Sequence, residues 1–463
     1  MLLQIFLLFA LCTLNFKLNA QYFSLGTDPA SVKWNQIKTA NFRVIYPNTL
    51  DSQALYLANA LEYFREPGSA SLNVLPNKWP VILHNQSVIS NAYTPYAPKR
   101  IEMVTTPPQS NEDTYGQDWL DQLVIHEFRH ACQYAAVNKG LTKALSILFG
   151  QQAVAGVLGV FVPFWFIEGD AVVTETANSN TGRGRVPAYE MKLRAQFLEK
   201  GIYSYDKAYN GSYRDFTPNW YELGYLLVGQ TRVEYGKETW SKAVRKAGNL
   251  PVMLVPFSYK LYKETGYGKS RLYNHITDET KSRWKTEDEK LDKTTFTPVQ
   301  ISPGKFYTNR TQPSVLPDGS IIVRKTSMDD IPRITRIDTA GQEHILISPG
   351  IMVDENVSAM GNMVCWAEVE YDPRWDLRTY SVIMIHDLAT SQTRQITQRS
   401  RYFSPHMSRD LSKIVVVEVT EDSRYFIVII DPQNGGVMKR IPTPGNYFPD
   451  HPAWSPDEKQ IAV

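Results

Sequence analysis

Residues 121–134 read DQLVIHEFRHACQY, and His126, Glu127 and His130 stand among them. On a helix, residues four apart lie one turn apart on one face, so His126 and His130 aim their imidazoles at the same place. Two imidazole nitrogens so placed can grip one zinc ion, with Glu127 beside it to take a proton from water. A helix is expected because Trp119, Leu120, Leu123, Val124 and Ala131 recur at helical spacing, with Asp113 or Thr114 as its starting cap. Cys132 falls off the ligand face and reads as a small core residue.

Two histidines need a third protein ligand and leave a fourth position open for water. Residues 164–171, FWFIEGDA, offer Glu168 after an aromatic run. Glu175 follows seven residues later, two turns along the same face, where it can accept the far N–H of a ligand histidine and fix its tautomer. Residues 219–224, NWYELG, open a further helix, with Thr217 as cap, Pro218 at its first position and Gly236 as its end. From there Tyr221 can present a hydroxyl to the oxyanion of a tetrahedral intermediate.

This ordered set resembles the gluzincin metallopeptidases, and among them the peptidase MA-like group, over about residues 30–290. The resemblance implies an α+β, thermolysin-like fold and a Zn2+ cofactor held by His126, His130 and Glu168. It implies Glu127 and Tyr221 as the catalytic pair, Glu175 as the carboxylate behind a ligand histidine, and a peptide or protein substrate. It also implies that the strand at residues 100–104, RIEMV, is the edge strand that pairs with substrate backbone. Two departures favour an endopeptidase over an aminopeptidase. The stretch between His130 and Glu168 is longer than in the aminopeptidase branch, and the Gly-x-Met-Glu-Asn signature is missing.

The added length is apolar. From Ala144 to Phe166 the chain reads ALSILFGQQAVAGVLGVFVPFWF without a charge. By count it is long enough to span a bilayer, but Gln151, Gln152, three glycines and Pro163 interrupt it. Two readings stand: a buried helix or helical hairpin over the active site, or a flap that touches membrane or an apolar partner. Upstream, residues 42–46, 80–84 and 100–105 read as strands and residues 52–64 as a helix. Residues 1–20 carry a short apolar run and end in Ala20, which reads as a signal for export with cleavage before Gln21. The expected location is the periplasm, outer envelope or outside. Loss of that segment leaves Cys132 and Cys365, expected in different domains and unpaired.

Beyond about residue 290 the texture changes. A phrase recurs as PSVLPDGSIIV from 313, PHMSRDLSKIVV from 405 and PAWSPDEKQIAV from 452, with a degenerate copy from 357. The starts lie 44, 48 and 47 residues apart, a period of several strands that signals propeller blades. Each copy is a turn feeding a buried strand. Residues 300–463 resemble TolB-type propellers, whose blades carry Trp-Ser-Pro-Asp-Gly-x-x-Ile-Ala; residues 454–462 match except for Glu458. About three to four blades fit. The expectation is thus a multidomain chain: residues 1–20 a signal peptide, 21–290 a gluzincin-like domain, and 291–463 an all-β, partial propeller.

The whole chain has 463 residues, 43% hydrophobic and 21% charged, which suits globular domains and excludes disorder as the main state. A formal net charge of +2 gives no electrostatic reason to expect nucleic acid. No P-loop or dinucleotide fingerprint is present. His84 reads as a strand-end residue, and His275, His344, His386, His406 and His451 as surface or blade-turn residues. The second function that fits is a non-catalytic scaffold of the cell envelope, in which the blades bind a partner protein and the peptidase fold is retired.

Overall fold

The computed structural model describes residues 26–109, 116–299, 301 and 304–463. The expected signal and its cleavage point lie outside them, as do Asp113 and Thr114. β1 (Trp34–Lys38), β2 (Phe42–Pro47), β3 (Trp79–His84), β4 (Ala92–Tyr93) and β5 (Ile101–Val104) form one sheet in the order β1-β2-β3-β5-β4. β2, β3 and β5 are parallel, while β1 and β4 flank them antiparallel. This corrects one expectation. The strand at residues 100–104 is not the edge: β5 is wholly buried between β3 and β4, and the two-residue β4 forms the rim.

α1 (Asp51–Ser69) crosses from β2 to β3 and packs on β2. α2 (Trp119–Val137) lies against α1 and is buried almost throughout, which suits its apolar residues on several faces. Its cap is Asp118, whose side chain accepts from the Leu120 N–H. The remaining helices are α3 (Gly140–Phe149), α4 (Gln151–Phe161), α5 (Phe164–Ala177), α6 (Pro187–Glu199), α7 (Tyr205–Asn210), α8 (Trp220–Tyr235), α9 (Thr239–Asn249), α10 (Pro256–Thr265) and α11 (Lys269–Asp288). α8 begins two residues later than expected. Asn219 caps it, and Glu222 returns a bond to the Asn219 N–H, so Thr217 and Pro218 lie outside the helix. Gly236 ends it as expected.

The apolar stretch is a pair of short helices, α3 and α4, turned at Gly150 (φ +75°) and closed before α5 by Pro163. Val154, Val157 and Leu158 bury one side of α4. No single helix among the described residues is long and apolar enough to cross a membrane, and α4 and α5 together are bent by 96°.

α5 and α8 touch backbone to backbone. A Cβ at Gly224 would stand 1.8 Å from the Trp165 carbonyl oxygen, and one at Gly169 would stand 2.1 Å from the Gly224 carbonyl carbon. Beside this contact the fully buried Arg129 binds Asp170 through Nε (2.6 Å) and Nη2 (2.9 Å), the Gly68 carbonyl and the Ser71 hydroxyl. Arg232 meets the same carboxylate. Burial opposes charge on Asp170, but the two guanidiniums outweigh it and hold the carboxyl below the usual range. The cluster locks α1, α2, α5 and α8 together, two guanidiniums sharing the one Asp170 carboxylate.

The chain then passes from α11 to a row of antiparallel sheets. β6 (Thr308–Val315), β7 (Ile321–Ser327), β8 (Arg333–Ile337) and β9 (Glu343–Ile347) make the first. β10 (Met352–Met360), β11 (Met363–Tyr371), β12 (Thr379–Asp387) and β13 (Gln392–Gln395) make the second. β14 (Tyr402–Met407), β15 (Ile414–Val419), β16 (Tyr425–Ile430) and β17 (Val437–Pro442) make the third, and β18 (Ala453–Trp454) and β19 (Ile461–Ala462) form a hairpin. Each four-stranded sheet runs in chain order, with a register shift in its first strand. The row is open: no described strand joins the hairpin to the first sheet.

A recurring bond joins neighbouring sheets. The residue one place after each repeat start accepts from a backbone N–H of the next first strand. Ser314 Oγ takes Ala359 N at 3.3 Å, Ser358 Oγ takes Met407 N at 3.2 Å and His406 Nδ1 takes Trp454 N at 3.5 Å. The same spacing that marks the repeat thus also bonds one sheet to the next. The sheets are also tied to the helical part. Arg401 donates to the Gln86 and Ser87 carbonyls and to Thr106, and Tyr307 N donates to the Arg214 carbonyl. Val88, from the β3–β4 loop, packs in one core with Phe403, Val415 and Val417.

Candidate metal centre

α2 and α5 bring together three of the residues singled out above. One ligand atom each from His126, His130 and Glu168 lie within 4.8 Å of one another. Glu168 Oε2 stands 3.4 Å from His126 Nε2 and 3.5 Å from His130 Nε2. This carboxylate oxygen is buried and has no hydrogen-bond partner. The opposite ring nitrogens are occupied: His126 Nδ1 meets Glu175 Oε2 at 3.0 Å, and His130 Nδ1 meets Gln133 Oε1 at 2.9 Å. Both Nε2 atoms are thereby turned towards Glu168. Two imidazole nitrogens and one carboxylate, whose buried oxygen is orphaned, are three donors that fit a zinc ion in type and leave a fourth position open.

The ionisable groups at the centre perturb one another strongly. Burial pulls the His130 pKa down, but Glu168 outweighs it and lifts it to about 9. His126 is likewise lifted, with burial opposed by Glu168 and Glu175. Burial pushes Glu168 up, and the two histidines hold its carboxyl far below the usual range. Glu175 is fully buried; Arg183 and His126 overcome that burial and bring it to about 2. Arg183 Nε donates to Glu175 Oε1 at 2.7 Å and Nη2 to Oε2 at 3.0 Å.

Glu127 follows His126 on α2 and is buried. The Thr94 hydroxyl donates to Glu127 Oε2 at 2.7 Å, and Thr94 follows directly on the rim strand β4. Tyr221 lies on the first turn of α8, its ring 6.1 Å from that of His126 and parallel to within 24°. The Arg183 guanidinium lies over the same Tyr221 ring, 5.4 Å from its centre. Burial and then Glu168 raise the phenol above its ordinary pKa, so it keeps its proton. All six residues expected at the centre therefore gather there. Sequence reasoning missed Thr94, Gln133 and Arg183. Gln133 was within reach, being three residues past His130 on the same helix.

The other histidines separate from this centre. His84 ends β3 as expected, held between Asp28 and Glu102 at 2.9 and 3.0 Å, and burial is outweighed by these carboxylates so that its pKa rises to about 9. His275 pairs with Glu234 on the protein surface. His386 and His406 correct the expectation of surface or turn positions: both lie inside strands, His386 buried and His406 half-buried. Cys132 and Cys365 are free and buried in separate cores.

No family model matches the chain, and no curated protein does. Solved structures do overlap parts of it. TolB from Acinetobacter baumannii is 16% identical, over 34% of this chain and 49% of that one, with a TM-score of 0.21. An acylaminoacyl peptidase from Pyrococcus horikoshii is 11% identical, over 30% and 25%, with a TM-score of 0.23. An aminopeptidase N family protein from Idiomarina loihiensis is 10% identical, over 55% and 42%, with a TM-score of 0.26. The chain spans about half of these structures or less. Similarity this slight leaves the function to be argued from the residues.

Proposed function

We propose that this chain is an exported zinc peptidase of gluzincin type, an endopeptidase, with TolB-like blades that hold substrate or an envelope partner protein. The observation that supports it is the buried convergence of His126, His130 and Glu168, with both Nε2 atoms facing an unpartnered carboxylate oxygen. His126, His130 and Glu168 would hold a zinc ion, which when bound would supply Lewis-acid chemistry towards the scissile carbonyl and the attacking water. Glu127, steadied by Thr94 on Oε2, takes the proton of the attacking water on its carboxylate and hands it to the leaving amide nitrogen. Tyr221, which keeps its proton, donates a hydrogen bond to the developing oxyanion. The rim strand β4, next to Thr94, offers backbone pairing to an extended peptide. The apolar start of the chain supports export.

Cleavage mapping on a proteome-derived peptide library tests this reading. Internal cuts are expected, and Tyr221→Phe should lower kcat roughly 10²-fold with little change in KM, the size of effect seen when one oxyanion donor is lost. A wild-type protein that cuts nothing in the library would leave the blades as the working part and the peptidase fold as a scaffold.

A further inference from the structure

The bend between α3 and α4 carries a surface that the metal centre does not use. Ile147, Leu148 and Phe149 are 78%, 75% and 68% exposed there. A second exposed apolar segment is the loop between α9 and α10, residues 250–255, LPVMLV, where Leu254 is 94% exposed and Val252 and Val255 are exposed too. α9, which leads into this loop, packs on both α3 and α4, and its C-terminal end meets the base of the hairpin. The Thr142 hydroxyl donates to the Gly248 carbonyl at 2.7 Å, and Gly140 sits against Asn249. Single exposed apolar side chains are ordinary, but runs of consecutive exposed apolar residues on one acid-free part of the fold mark an interaction surface.

The charge around them is one-sided. No Asp or Glu occurs between Glu127 and Glu168, and none between Glu238 and Glu264. Those two stretches include the hairpin, the loop and α9. Lys139 and Lys143 are exposed at the base of the hairpin, and Lys246 is half-buried on α9. Lys242 and Lys260, in the second stretch, are turned to Glu264. An anionic bilayer accounts for both features together: its acyl boundary takes apolar tips, its headgroups attract lysines, and it repels carboxylates.

We propose that this face seats the protein on an anionic lipid bilayer. The hairpin bend and the 250–255 loop dip into the boundary between headgroups and acyl chains, and Lys139, Lys143 and Lys246 meet lipid phosphates. The helices lie on the membrane and do not cross it. α4 leads through a sharp bend at Pro163 into α5, which carries Glu168, so the docked hairpin is joined directly to the metal centre. Docking of this face needs no peptidase activity.

Vesicle flotation of the processed chain recovered after export tests it. The protein should float with phosphatidylcholine mixed with phosphatidylglycerol, and much less with phosphatidylcholine alone. Replacing Ile147, Leu148, Phe149 and Leu254 together by Ser should lower partitioning at least about tenfold. Lys139→Gln with Lys143→Gln should lower binding to the mixed vesicles roughly 25-fold, about fivefold for each lysine. A polarity-sensitive fluorophore on Leu148→Cys should shift to the blue with the mixed vesicles, and one on Thr390→Cys, exposed in the second sheet, should not. The native Cys132 and Cys365 are buried and leave these labels selective. A wild type that stays in solution, a four-serine variant that floats equally well, or an unshifted probe at Leu148→Cys would overturn the proposal. So would a chain that self-associates through this face and ignores lipid.

Discussion

Glu127→Gln should lower peptide cleavage by roughly 10³-fold while the protein keeps its zinc, because a lost general base costs about 10²–10⁴ in rate. The side chain is the same size, and the amide can still offer an oxygen to the Thr94 hydroxyl that now bonds Glu127 Oε2 at 2.7 Å. What it cannot do is accept the proton of the attacking water. Metal content is expected to be unchanged, since the three converging donor atoms belong to His126, His130 and Glu168. The two readouts together separate the loss of proton transfer from the loss of the site. Cleavage within tenfold of wild type would remove Glu127 from the mechanism.

Gly224→Ala should be the most damaging small substitution in the helical part. The new methyl would stand 1.8 Å from the Trp165 carbonyl oxygen and 2.7 Å from Gly169 Cα. Both are backbone atoms, so no side-chain rotation relieves the clash and α5 and α8 must move apart. Overpacking commonly costs about 1–3 kcal/mol, and a rigid backbone partner puts this case at about 3 kcal/mol or more. At ~2–4 °C per kcal/mol for a domain of this size, Tm should fall by roughly 6 °C or more. α5 carries Glu168 and α8 carries Tyr221, so cleavage should fall as well. Gly229→Ala on the same helix is the control. Its methyl would meet only Val173 Cγ2 at 3.8 Å, and alanine is the better helix former by up to ~1 kcal/mol. Thermal unfolding should therefore separate the two variants in opposite directions. Equal stability of Gly224→Ala and wild type would show that α5 and α8 do not meet as described.

The centre was legible in sequence wherever its residues sit at fixed helical offsets. His126, Glu127 and His130 share one helix, and Glu168 and Glu175 share another, so spacing alone set their faces. Thr94 and Arg183 come from outside those helices, where no periodicity carries information, and only the folded chain brings them in. The rim strand escaped for a similar reason. Two residues, Ala92 and Tyr93, are too few to show alternation, whereas β5 reads as a strand in isolation without revealing which side its neighbours lie on. The cap of α8 was legible and misread: Asn219 followed by Glu222 is a capping box, a stronger signal than Thr217 before proline. In the sheets, turn chemistry exposed the repeat, but the bonds between sheets use serine twice and histidine once, and this mixture hides a shared role.

The central claim is that His126, His130 and Glu168 hold one zinc ion. Elemental analysis of the purified protein after dialysis at neutral pH tests it most directly, with His126→Ala measured alongside. One zinc per chain in the wild type, and its loss in His126→Ala, is the predicted result. A wild type without zinc, or zinc retained in full by His126→Ala, would contradict it.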